Sequence, residues 1–151
     1  MKHNLAFLVI LLATISMINA VPHKRATQFG PCTDYGVPPP VSTVTINPDP
    51  PTAGASLSIN VSGTAASPIN QGVIISVAFL DANYNLLGTA SIQDFCSQAG
   101  ISCPVAAGAS FTVPTITTTA PPTINPGTIL GINIGDPSGN TNPVQCAMAQ
   151  F

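Results

Sequence analysis

From Ala26 to Phe151 the chain carries five aspartates, Asp34, Asp49, Asp81, Asp94 and Asp136, and no Lys, Arg, His or Glu. Its basic residues, Lys2, Lys24 and Arg25, and its histidines, His3 and His23, all come earlier. The formal charge therefore moves from −2 for all 151 residues to −5 for Ala26–Phe151. Aspartate alone makes poor chemistry. A general acid or base needs an orienting partner, and an oxyanion needs donors or a cation to meet it. Asp94 beside Cys96 and Asp136 in a turn both have plain structural readings. No catalytic residue is expected, and the chain is not read as an enzyme. Nucleic acid is not expected as a partner, because the cationic footprint that phosphates require is missing. Polybasic attraction to anionic membranes is missing too. Tyr35 and Tyr84 are the only phenols available as polar handles, and Tyr84, in a turn, is expected to be exposed.

Four cysteines, Cys32, Cys96, Cys103 and Cys146, allow three disulfide connectivities. Cys96 and Cys103 lie seven apart across a loop containing Gly100 and can close locally, which leaves Cys32 with Cys146. The long bridge is worth about 4–5 kcal/mol and the short one about 2–3 kcal/mol in the chain-entropy model. Zinc is the competing use of four cysteines. The spacing is not that of paired ligands and no histidine remains, so neither a metal nor another cofactor is expected.

These residues hang on strands. Val73 to Leu80 is β-branched and aromatic, bounded by Gly72 and by Asp81-Ala82-Asn83. Val73, Ile75, Val77 and Phe79 share one face, and Ile74, Ala78 and Leu80 the other. Apolar on both faces, it reads as a central strand. Val41 to Asn47 and Ser56 to Ser62 alternate, with Leu57, Ile59 and Val61 inward. Pro48 to Gly54 between them is a rigid turn. Leu86 to Ile92 reads as a short strand, and Asp94 to Gly108 as a loop holding two cysteines. Phe111 to Thr119 carries Pro114, which makes it an edge or bulged strand. Thr128 to Ile134 and Val144 to Gln150 complete the set, either side of a hairpin-type turn at Asp136–Asn140. Sixteen prolines and 12 glycines suit many short strands joined by turns. The fold class is all-β: an immunoglobulin-like β-sandwich of about seven antiparallel strands in one domain, 26–151.

The N-terminus reads differently. A basic start, an apolar run from Leu5 to Ile15 and small residues ending at Ala20 predict a signal peptide over 1–20. The run is too short to span a bilayer. Residues 21–25 end in Lys24-Arg25, a possible trimming site. The expected product is secreted or lumenal, vacuolar or lysosomal. Asn60-Val61-Ser62 is a glycosylation sequon on a predicted solvent face.

Asn47-Pro48-Asp49-Pro50-Pro51-Thr52-Ala53-Gly54, then Leu57-Ser58-Ile59 and Ser62-Gly63, resembles the strand–turn–strand signature of the ML lipid-recognition domains. Asp94-Phe95-Cys96 with Cys103-Pro104 and Gly108 resembles that family's disulfide loop. Pro126-Gly127 before a strand, and a last strand bearing Cys146, are also similar. The ordered set spans about Phe29 to Phe151. By pattern the chain is similar to fungal phosphatidylglycerol/phosphatidylinositol transfer proteins and to Niemann–Pick type C sterol carriers. The resemblance implies two sheets spread apart around a lipid, and the pairings Cys32–Cys146 and Cys96–Cys103. The third disulfide of the sterol carriers is missing, as is any cation to meet an anionic headgroup.

The resulting expectation is a monomeric lipid carrier that touches membranes transiently and holds a sterol or phospholipid in an apolar cavity. Val77, Phe79, Leu86, Phe95, Ile101, Phe111, Val113, Leu130 and Ile132 are the expected lining. An empty cavity of ~300 Å³ costs on the order of 7 kcal/mol, which rivals a domain's whole stability. The cavity must then be small when empty, or filled. The alternative is a secreted structural or adhesive sandwich, such as a cell-wall component, with a solid core.

Overall fold

Thr43–Asn47 and Ser56–Thr64 are strands because apolar residues alternate with polar ones, and Pro48, Pro50 and Pro51 end the first of them. The computed structural model describes residues 26–33, 38–137 and 143–151. The expected signal peptide, the 21–25 leader, Asp34, Tyr35 and part of the Asp136–Asn140 turn lie outside the described residues. Seven strands are present: β1 (Thr43–Asn47), β2 (Ser56–Thr64), β3 (Ile74–Leu80), β4 (Ser91–Asp94), β5 (Ser110–Thr119), β6 (Ile129–Gly135) and β7 (Gln145–Gln150). They form two antiparallel sheets, ordered β1-β2-β5 and β4-β3-β6-β7. As its sequence demands, β3 is an interior strand, with a neighbour on each side.

The two sheets bury their inner faces against each other. Leu57, Ile59 and Val61 of β2 meet Ile75, Val77 and Phe79 of β3 and Leu130, Ile132 and Ile134 of β6 in one cluster. Each such side chain withdrawn from water contributes about 1.5–3 kcal/mol. The β5 contribution needs a correction to its phase. Register passes from Ile59↔Ile116 to Val61↔Val113, so Asn60 alone faces Pro114 and Thr115. This bulge lets Val113 and Ile116, three residues apart, both point inward. Proline has no ladder donor, and Pro114 is tolerated because the other flank of β5 is an edge.

One expected strand is displaced. Leu86 to Ile92 does not form a strand; β4 begins only at Ser91. Leu86 makes an isolated bridge with Leu80, and the Leu87 amide donates to the Phe79 carbonyl at 2.7 Å. Gly88 then takes a positive φ of 84° and breaks the ladder. Leu86 is consequently 51% exposed on the outside of the sheet, not part of a lining.

The outer faces differ in chemistry. On the three-stranded sheet the outward positions include Thr43, Thr45, Ser58, Asn60, Thr112 and Thr117, with Pro114 the one apolar exception, at the bulge. On the four-stranded sheet they include Ile74, Ala78, Leu80, Ile92, Gly131 and Met148.

Candidate functional site

A sandwich of two sheets has two long seams, and this one treats them differently. Along the first, the chain before β1 crosses over β7. Cys32 is bonded to Cys146, the Cys146 amide donates to the Pro40 carbonyl at 3.1 Å, and Gly30 and Met148 exchange two backbone bonds. Inside them lies Gln145, only 1% exposed. Its Oε1 accepts from Ser42 Oγ at 2.8 Å, and its Nε2 donates to the Thr64 carbonyl. A buried β7 amide whose partners lie at the end of β2 and just before β1 holds the sheets together, since separating them leaves it unpaired. Gly63 permits this approach: a Cβ there would overlap the Gln145 side chain.

The second seam runs between the edges of β4 and β5. Among the described residues no backbone hydrogen bond joins 86–101 to 110–122. Instead two open clefts lie at its ends. One, of about 520 Å³, is bordered by Leu87, Thr89 and Ser91 on one side and by Thr118, Ala120 and Pro121 on the other. The other, of about 500 Å³, lies between the disulfide loop (Ile101, Pro104, Val105) and the start of β5 (Ser110, Phe111, Thr112). At this second end Phe95 and Phe111 meet edge to face, with ring centroids 5.3 Å apart and planes at 83°. That pair bridges the seam.

The register sets what the seam presents. Val77 pairs with Ser91 and Ile75 with Gln93, so the inward positions of β4 are polar, while Ile92 points out. Opposite, Thr118 pairs with Leu57 and also faces inward. Hydroxyls and an amide thus stand between the solvent and the apolar interior. Neither cleft has a charged residue in its wall. Such walls can accept an apolar chain at depth and hydrogen-bond a polar end at the rim.

Three aspartates, Asp49, Asp81 and Asp94, hold turns and the segment at Thr27. Asp49 accepts from the Thr27 amide at 3.0 Å, and Asp94 from the Ser97 amide at 2.8 Å. Asp81 accepts from the Asn83 and Asn85 amides at 2.7 and 2.9 Å and from Asn85 Nδ2 at 2.9 Å. The Asn85 side chain, then its amide, hold the Asp81 carboxyl below its ordinary value of 3.8.

Of the residues expected to line a cavity, Ile101 and Phe111 border the second cleft. Val77, Phe79, Phe95, Val113, Leu130 and Ile132 lie behind the clefts in the common core. Phe95 and Leu130 are 0% exposed, and Val77, Val113 and Ile132 are 1% exposed. These side chains pack against one another in the common core. Leu86, as described, lies outside. Sequence reasoning missed Leu87, Thr89, Ser91 and Thr118. The displaced start of β4 hid the first three; the polar–apolar–polar run Ser91-Ile92-Gln93 was the available signal. Tyr84 is exposed, as expected, and Asn60 is exposed on β2, accepting from Thr115 Oγ1 at 2.7 Å. Both disulfides pair as expected.

No curated protein sequence matches this chain. Among solved structures, chicken MD-1 complexed with lipid IVa is similar, with a TM-score of 0.48 and 12% identity. The match covers 81% of this chain and 85% of that one. The model of the ML domain matches residues 26–150. That span takes in both sheets, both disulfides and both clefts, and the chain therefore belongs to the ML domain family.

Proposed function

We propose that this protein binds a lipid between its two sheets and carries it between membranes, taking it in through the β4/β5 seam. One observation carries the reading: one seam is sewn by a disulfide, backbone bonds and a buried amide, while the other has uncharged clefts backed by the core. Membership of the ML domain family supports it. Parting β4 from β5 breaks side-chain contacts and no ladder. The entering chain replaces those contacts, so the interior is closed when empty and filled when loaded. Apolar area leaving water supplies the drive, at about 25 cal/mol per Å². With no cation in the walls, a sterol or a phospholipid enters by its apolar part and leaves its polar end at the hydroxyl rim. The proposed lining is Val77, Phe79, Phe95, Ile101, Phe111, Val113, Leu130 and Ile132.

Two disulfides fit an oxidising compartment. Export through a signal peptide over 1–20, trimming within 21–25, glycosylation at Asn60 and a monomeric state belong to the same proposal. A second reading, the secreted structural or adhesive sandwich, is favoured by one fact: the tight packing at the centre of the core.

Titration of purified protein with a fluorescent sterol and a fluorescent phospholipid, each delivered from ethanol, separates the two. Saturable uptake of either, or lipid extracted with the native protein and identified by mass spectrometry, is expected. No uptake of either and no co-purified lipid leaves the structural module.

A further inference from the structure

The inner surfaces serve the lipid; the outer surfaces divide the molecule into a wet side and a greasy side. On the three-stranded sheet the outward side chains are almost all hydroxyls and amides. On the four-stranded sheet, Ile92 projects at 62% exposure and Leu86 at 51%. Register places both on that same outer face: Ile92 pairs with Ser76 and Leu86 with Leu80, and neither Ser76 nor Leu80 points inward. Ala78, Leu80, Gly131 and Met148, with Ser76 and Asn133 among them, continue the face inward from this margin. Exposed apolar side chains gathered on one face, rather than scattered singly, mark a surface that meets an apolar partner.

The loop beside it is built to hold its shape. Asp81 takes three hydrogen bonds from Asn83 and Asn85. Between them Tyr84 sits at φ 63°, a left-handed conformation that a tyrosine adopts only when its surroundings impose it. The result is a phenol displayed at 45% exposure, two residues before Leu86. Tyrosine, with an apolar ring and a polar tip, suits the boundary between water and lipid. The next residues, Leu87 to Ser91, are the wall of the first cleft. The greasy margin and the cleft's lip are therefore one continuous stretch of chain.

We infer that Tyr84, Leu86 and Ile92 form a docking lip that lays the first cleft against an uncharged or zwitterionic lipid surface. This rests on the carrier reading and adds the partner and the surface that meets it. Charge selects the bilayer. Ala26–Phe151 has no cation, and Asp81 and Asp94 flank the lip, so an anionic membrane repels it.

Sedimentation with phosphatidylcholine vesicles, with and without an added anionic phospholipid, tests the lip. The wild-type protein is expected to bind phosphatidylcholine vesicles and to bind less as anionic lipid is added. Tyr84→Ser, Leu86→Ser and Ile92→Thr combined should lower vesicle affinity and sterol transfer between vesicles by about tenfold or more, on the order of one side chain's transfer free energy. Sterol uptake from ethanol and the melting temperature should not change, because all three residues are exposed. Thr117→Ser, on the opposite face, should match wild type. Undiminished vesicle binding by the triple variant overturns the lip, as does binding that strengthens with anionic lipid. A wild-type dimer in sedimentation velocity that the triple variant abolishes also overturns it, by assigning the face to a second copy. Vesicle binding without uptake of either sterol or phospholipid from ethanol keeps the lip and removes the carrier reading.

Discussion

The β1/β7 seam and the β4/β5 seam close the same sandwich by different means. At the first, Cys32–Cys146 and the Pro40 and Gly30 backbone bonds tie the segment leading into β1 to β7, and Gln145 of β7 reaches Ser42 and Thr64. At the second, contact is by side chains, with Phe95 against Phe111 as its clearest element. Polar bonds in a buried setting are directional and expensive to leave unmade. Apolar contacts are not directional and any apolar surface can take their place. On the proposed reading the first seam serves as the hinge and the second as the opening. The difference arises from where single residues fall: Gly63 leaves room for Gln145, while Pro114 keeps the free edge of β5 from offering a full row of donors.

The sharpest way to break this contrast is to cut the sewn side. Cys32→Ser with Cys146→Ser should lower unfolding free energy by about 4–5 kcal/mol in the chain-entropy model, since the bridge spans 114 residues. Cutting Cys96–Cys103, which spans 7, should cost about 2–3 kcal/mol. Urea unfolding measures both. Equal losses would mean that the terminal bridge gains nothing from its length.

Next in size is the latch of the free seam. Phe95→Ala should cost about 3–4 kcal/mol in urea unfolding, because Phe95 is fully buried. Unlike the disulfide loss, this one opens onto a cleft at which lipid is proposed to enter. Lipid uptake in stopped flow should be faster in Phe95→Ala and unchanged in the Cys32 variant. Unchanged uptake in both would place the entry elsewhere.

How much of this could be read from residues alone depends on whether a neighbour had to be known. Ser56 to Ser62 is a strand because its alternation is local, and Leu57, Ile59 and Val61 turned inward as that alternation requires. The disulfides followed from four cysteines and one short loop. The limits of β4 did not follow, because Leu86-Leu87 has strand-like residues and only the backbone at Gly88 ends the pairing. Ser91 and Gln93 at the seam's rim were hidden for the same reason: their direction is set by Val77 and Ile75 across the ladder. An open cavity was inferred from a resemblance to carriers, and a resemblance does not say whether the sheets are together or apart.

The smallest effect concerns acid, and it is read at the Asp81 loop beside the free seam. The Asp81 carboxyl is held below 3.8 by Asn85, so the folded loop binds that proton less readily than the unfolded chain does. Stability from this source is fully present above pH 3.8 and is lost as pH falls through the lower, folded value. Protonation weakens the carboxyl as an acceptor and turns one of its oxygens into a donor, which loosens the bonds from Asn83 and Asn85 and with them the constraint on Tyr84. Amide exchange at Asn83 and Asn85 should rise, relative to Gln145, as the pH is lowered below 3.8, while Asp81→Asn should show the raised exchange already at neutral pH. Gln145, the reporter on the sewn side, has no titratable group of its own. If Gln145 loosens together with the loop, the two seams are one cooperative unit and the hinge-and-opening picture fails.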